Sequence, residues 1–68
     1  MKDTRFTATV RQEIEAHRLN GLYDRLENEE TPFEMVVRRV DRHIRLVTIC
    51  CNEQDKEHFK TMLYGYKS

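Results

Sequence analysis

Sixty-eight residues, 38% of them hydrophobic and 35% charged, make a chain long enough for one small domain and too apolar for a disordered tail. Lys plus Arg number 12 and Asp plus Glu number 12, which excludes a strongly basic nucleic-acid module and an acidic DNA mimic and leaves only local charge clusters to interpret. The core of so short a chain is thin, and one sheet with two helices, or three helices, is all that fits.

In chain order, residues 5–11 alternate apolar and polar side chains and are rich in strand formers, which fits a short strand. Leu19, Leu22, Tyr23 and Leu26 then recur at i, i+3, i+4 and i+7, the spacing of an amphipathic helix. On one continuous helix, Phe6, Val10, Ile14 and His17 form a second stripe opposite the first, and Asn20 and Gly21 sit where the two meet. Either the helix breaks there with Gly21 as its C-cap, or the front half is a different element.

Residues 31–52 fit two templates. As a helix, Phe33, Val36, Val37, Val40, Ile44, Val47 and Cys51 share a face, and Thr31, Pro32 and Glu34 form a capping box with proline at the first helical position. As a hairpin, Phe33, Met35, Val37, Ile44, Leu46, Thr48 and Cys50 share a face, with the turn around Asp41, Arg42 and His43. Seven β-branched residues between Met35 and Cys51, and a run from Leu46 to Cys51 that is apolar on both faces, favour the hairpin. The turn lacks the Gly or Asn of a tight two-residue loop, so a longer loop built on a type I turn is expected.

Asn52 is a good N-cap, Glu53 and Asp55 place negative charge in a first turn, and Phe59, Met62, Leu63 and Tyr66 repeat at helical spacing. A helix from Glu53 to Tyr64, stopped by Gly65, is predicted. The expected fold is a single α+β domain over residues 1–68, a two-layer (β)αββα arrangement with a hairpin at residues 33–50 and a C-terminal helix. An all-α three-helix bundle is the alternative.

The densest local charge is basic: Arg38, Arg39, Arg42, His43 and Arg45, relieved only by Asp41. On a hairpin these crowd the tip and one face; on a helix Arg38, Arg42 and Arg45 line the solvent side, so exposure is expected under either fold. Guanidinium groups fork onto phosphates or carboxylates, which points to nucleic-acid backbone or an acidic protein surface. The plainer reading is a solvated face paired with Glu27, Glu29, Glu30 and Glu34. No aromatic residue interleaves with the cluster to stack on bases, which weighs against single-stranded nucleic acid. Tyr64 and Tyr66 offer two aromatic anchors to a partner, or else close the end of the core. The acidic run of residues 27–30 reads as a solvated loop.

Cys50, Cys51 and His58 do not supply the four spaced ligands of a zinc site, and no metal or other cofactor is expected. A Cys–His nucleophile would need an orienting third group and a pocket. His17, His43 and His58 are scattered and read as surface residues, and no phosphate-binding or acyl-transfer motif is present. The chain is therefore not expected to be an enzyme. Adjacent cysteines read as free thiols of a reducing compartment. With no secretory signal pattern and no apolar run of about 18 residues, a cytoplasmic location and no membrane partner are expected.

Val37-Arg38-Arg39, Leu46-Val47-Thr48, Asp55-Lys56-Glu57 and Met62-Leu63 together resemble the DNA-damage-inducible protein I family of bacteria and their prophages, over the C-terminal half of the chain. The resemblance implies a non-enzymatic regulator that binds the recombinase RecA through an acid-rich C-terminal helix. The chain departs there: from His58 to Tyr64 it carries no acid, so that binding surface does not carry over. The expected function is a small regulatory or inhibitor protein, of the kind phages and mobile elements encode, that binds a protein partner through the Arg38 to Arg45 segment or the Tyr64 and Tyr66 end. Nucleic-acid binding through the same arginines is the second reading. A homo-oligomeric module, motivated by the opposed apolar stripes of the first segment, is the third.

Overall fold

Alternation in the first segment continues past the expected strand. In a computed structural model, which describes residues 6–67, β1 covers Ala8–Glu15 and a 3-10 turn leads into α1, Leu19–Glu27. Arg5, the first residue of the expected strand, lies outside the described residues. The chain then forms β2, Phe33–Arg39, and β3, Ile44–Cys51, and ends in a second 3-10 turn and α2, Lys56–Tyr64. The fold is α+β, a three-stranded antiparallel sheet in the order β1-β3-β2 with two helices; the three-helix alternative is not supported.

Val10 and Ile14 are buried strand residues, not part of a helical stripe, because residues four apart in a strand point to the same side. The opposed stripes that motivated an oligomer therefore do not exist. Gly21 is not a C-cap; it lies inside α1 with an ordinary backbone conformation. The helix ends instead at Asn28, whose N–H bonds the Arg25 carbonyl at 3.3 Å and whose side-chain amide donates to the Asp24 carbonyl at 3.1 Å.

The hairpin forms where expected but with different facing residues. Phe33 lies opposite Cys51, Met35 opposite Ile49 and Val37 opposite Val47. Ile44, Leu46, Thr48 and Cys50 thus belong to the other face from Phe33, Met35 and Val37. The loop sets this: the Val40 N–H bonds the Ile44 carbonyl at 3.0 Å, which pairs residues of equal parity across the hairpin. A slip of one residue would turn every side chain over.

One face of the sheet carries Ala8, Val10, Ile14, Val47, Ile49 and Cys51, which pack with Leu19, Leu22 and Leu26 of α1 and with Phe59, Met62 and Leu63 of α2. Phe33, Met35, Val37 and Tyr66 close its margins. Ile14, Leu22, Val47, Ile49, Phe59 and Leu63 are fully buried, and each aliphatic or aromatic side chain so placed contributes about 1.5–3 kcal/mol of transfer free energy. Helix α2 lies over β1. It begins three residues later than expected, because residues Glu53–Asp55 form a 3-10 turn in which the Asp55 N–H bonds the Asn52 carbonyl at 2.9 Å. Asn52 caps through its backbone and not through its side chain. Gly65 does stop α2, at a φ of −65°, with its N–H shared between the Thr61 and Met62 carbonyls. Among the described residues, no helix is long and apolar enough to cross a membrane.

Candidate functional site

The hairpin distributes the basic cluster over two faces instead of one. Arg38 stands on the sheet face that no helix covers, beside Leu46, and with Arg11, Val36 and Thr48 it rims a shallow depression there. Arg39 and Arg45 lie directly opposite each other on the helix-bearing face. Arg45 is committed to the loop: its Nη1 donates to the Asp41 carbonyl at 2.8 Å and to the Ile44 carbonyl at 3.2 Å. Asp41 answers from the other side, its Oδ1 accepting the N–H groups of His43 at 2.8 Å and Ile44 at 3.0 Å. These two backbone bonds, the His43 one first, hold the Asp41 carboxyl below its ordinary range. Only Arg42 and the His43 ring remain at the exposed tip. Alternating strand geometry is the reason: neighbours such as Arg38 and Arg39 must point to opposite faces.

The two C-terminal tyrosines also separate. Tyr66 is half-buried against the core margin, and its hydroxyl donates to the Gly21 carbonyl at 3.4 Å. Tyr64 is 65% exposed, with the Lys67 ammonium 5.2 Å from its ring centre. Beside it runs a groove between α2 and the edge strand β1, lined by Thr9, Val10, Arg11, Gln12, Lys56, Lys60 and Tyr64. Three of these are cations and none is an acid.

The floor of this groove is an open sheet edge. The Ala16 N–H bonds the His43 carbonyl at 2.7 Å, and pairing continues from Glu15 opposite Ile44 to Ala8 opposite Cys51. Since alternate residues of an antiparallel strand bond to alternate sides, Ala8, Val10, Gln12 and Ile14 bond β3, while the N–H and C=O of Thr9 and Arg11 point outward. Further along, Lys67 bridges Ile14 and occupies the edge. The open stretch is the one beside Lys56, Lys60 and Tyr64.

Comparison with known proteins finds no matching family model, no matching curated protein and no matching solved structure. Function therefore rests on the site itself.

Sequence reading singled out Tyr64 but not Lys56, Lys60 or Arg11. Lys56, Lys60 and Tyr64 stand at i, i+4 and i+8 of one helix, a stripe visible in the sequence. Arg11 borders the groove from the edge of β1, its side chain leaving the strand on the helix-free face.

Two other readings are refined by the structure. Glu29 is not a solvated loop residue: its side chain is 8% exposed and its Oε1 accepts from His58 Nε2 of α2 at 3.0 Å and from Arg25 Nη1 at 3.4 Å. The His58 bond is the main cause holding the Glu29 carboxyl below its ordinary range. Cys50 and Cys51 are both free thiols, and as strand neighbours they point to opposite faces. Burial pushes the Cys51 thiol pKa up. Among the described residues, no group of three or more His, Cys, Asp or Glu side chains is placed to hold a metal ion.

Proposed function

We propose that this is a small, non-enzymatic regulatory protein that binds an acidic, extended segment of a protein partner in the groove between β1 and α2. The observation that carries the reading is the lining of that groove: Arg11, Lys56, Lys60 and the exposed Tyr64, without a carboxylate, along an open strand edge. A segment laid there would bond its backbone to Thr9 and Arg11 and set alternate acidic side chains against the lysines, the mode of strand addition. Tyrosine and arginine are the residue types that most often anchor such contacts. Function by occupancy needs no pocket deep enough for chemistry, and it fits a thin core.

Other features bear on the alternatives. Arg45 donates to loop carbonyls and Arg38 and Arg39 point apart, which weakens the basic hairpin as a continuous track for a nucleic-acid backbone. The order strand, helix, strand, strand, helix is the (β)αββα arrangement read from the sequence, with which the resemblance to DNA-damage-inducible protein I is compatible. Helix α2, however, offers Lys56, Lys60 and Tyr64 where that family presents acids, so the charge of the partner segment proposed here is the opposite one. Free thiols on opposite faces of β3 support a reducing, cytoplasmic setting.

The test is titration of a short labelled peptide alternating glutamate and valine, followed by fluorescence anisotropy, beside a single-stranded and a duplex oligonucleotide. Binding of the peptide that falls about tenfold or more in a Lys56→Glu/Lys60→Glu variant is expected, since both side chains are exposed and the fold should survive. Peptide binding unchanged in that variant, or binding to the oligonucleotides alone, overturns the reading.

A further inference from the structure

The opposite edge of the sheet, β2, is a second and independent feature. Phe33–Arg39 is a seven-residue edge strand containing no proline, and its register against β3 is unbroken throughout. The Val40–Ile44 hydrogen bond fixes its polarity: Glu34, Val36 and Arg38 bond β3, and the N–H and C=O of Phe33, Met35, Val37 and Arg39 point away from the sheet. Natural proteins usually blunt so long and regular an edge. Here the strand carries acid at one end and base at the other. Glu34 lies near the start of β2, just after the acidic run of residues 27–30, while Arg38 and Arg39 lie at its end. Val36, at its centre, is 55% exposed.

We infer that β2 pairs with β2 of a second copy of this chain, antiparallel about a two-fold axis through Val36, to make one continuous six-stranded sheet. The register is dictated by full overlap of the strand with itself, and polarity and charge both agree with it. Met35 meets Val37 of the second copy, and Phe33 meets its Arg39; these are the residues with outward N–H and C=O groups, so each pair exchanges two backbone bonds. On the face without helices, Val36 meets Val36 of the second copy, and Glu34 meets Arg38 twice, once on each side of the axis. A parallel pairing, or a register shifted by two residues, loses these charge pairs.

The helices leave room for this. Tyr23, Leu26 and Glu27 of α1 stand over the Phe33 and Met35 end of β2 and frame a groove open there. The two-fold sends the second α1 to the other end of the paired strands, about four residues or ~13 Å along them. Arg39 of the second copy then arrives beside Phe33 under Glu27, which adds a further pair of opposite charges to each half. Exposed Val36 and the 38% exposed Tyr23 gain cover together.

Sedimentation equilibrium over a range of concentrations, with hydrogen exchange read residue by residue, tests the pairing. The wild type is expected to dimerise. Its Met35 and Val37 amides should exchange slowly at dimer concentrations and fast when diluted, whereas Glu34 and Val36 amides, already bonded to β3, should be protected in both. Glu34→Arg alone or Arg38→Glu alone sets like charges opposite one another at two places and should weaken the dimer about tenfold or more. Mixing the two single variants, or combining both changes in one chain, restores opposite charges and should restore the dimer, which a variant that merely failed to fold would not do. A wild type that stays monomeric at millimolar concentration overturns the inference. So does a dimer in which the Met35 and Val37 amides remain unprotected, or one that both single variants form as tightly as the wild type.

Discussion

Tyr66 rests on Gly21: a side-chain Cβ built at Gly21 would lie 3.4 Å from Cε1 of the tyrosine ring, and the ring hydroxyl bonds the Gly21 carbonyl at 3.4 Å. This contact joins the end of the chain to the middle of α1. A methyl group fits there at ordinary contact distance, and a larger side chain has to share the space with the Tyr66 ring.

Gly21→Ala is therefore expected to stabilise the protein. Alanine gains about 0.5–1 kcal/mol over glycine in a helix interior, and here the backbone conformation imposes no strain to offset it. Gly21→Leu should instead displace Tyr66 and lower the melting temperature. Thermal unfolding followed by circular dichroism reads both signs, and a destabilised Gly21→Ala would show that the tyrosine contact is tighter than its distance implies.

The Glu29–His58 contact makes stability depend on pH in a defined direction. Glu29 has a native pKa below its ordinary value, chiefly through the hydrogen bond from His58. A carboxyl so shifted stabilises the fold fully above its unfolded pKa and loses that contribution as pH falls through the lower native value. His58→Ala removes the main cause. In that variant the Glu29 carboxyl, followed by NMR, should titrate at a higher pH than in the wild type, and acid unfolding should become less dependent on this residue.

Among the described residues, Asp41 is the other carboxylate with a lowered pKa, and its main causes are the two loop N–H groups. The sign is the same: its contribution is present above the ordinary aspartate range and lost in acid. Asp41→Ala should lower the melting temperature at neutral pH, because two N–H groups lose their acceptor. Asp41→Asn keeps an acceptor oxygen and should lose less. A melt in which alanine and asparagine behave alike would mean that the carboxylate does not organise the loop.

Much of this architecture is written in local patterns. The Leu19, Leu22 and Leu26 spacing, the β-branched run of β3 and the Phe59, Met62 and Leu63 stripe each led to the observed element. Register was not legible, for a physical reason. β3 is the central strand, flanked on both sides, so Ile44, Leu46 and Cys50 are apolar although they lie on the face away from the helices. A strand apolar on both faces does not reveal which of them turns inward; the Val40–Ile44 bond decides that. The candidate groove was half legible, since Lys56, Lys60 and Tyr64 share a helical stripe, but that β1 forms the other wall follows only from the packing of α2 on it. Glu29 sat inside an acidic run that gave no sign of which member would turn inward.

The strand order has a kinetic consequence. β2 and β3 are joined by a short loop and can zip together locally, but the strand partner of β1 is β3, which follows it after α1 and β2. Closing that long connection costs chain entropy before any contact repays it, so the hairpin is expected to form first and β1 to dock later. Asp41→Ala should accordingly slow refolding more than it speeds unfolding, and equal effects on the two rates would refute that order. Of the three strands, the one made earliest is in this sense the last to find its place, and until it docks the β1-facing edge of the central strand stays bare.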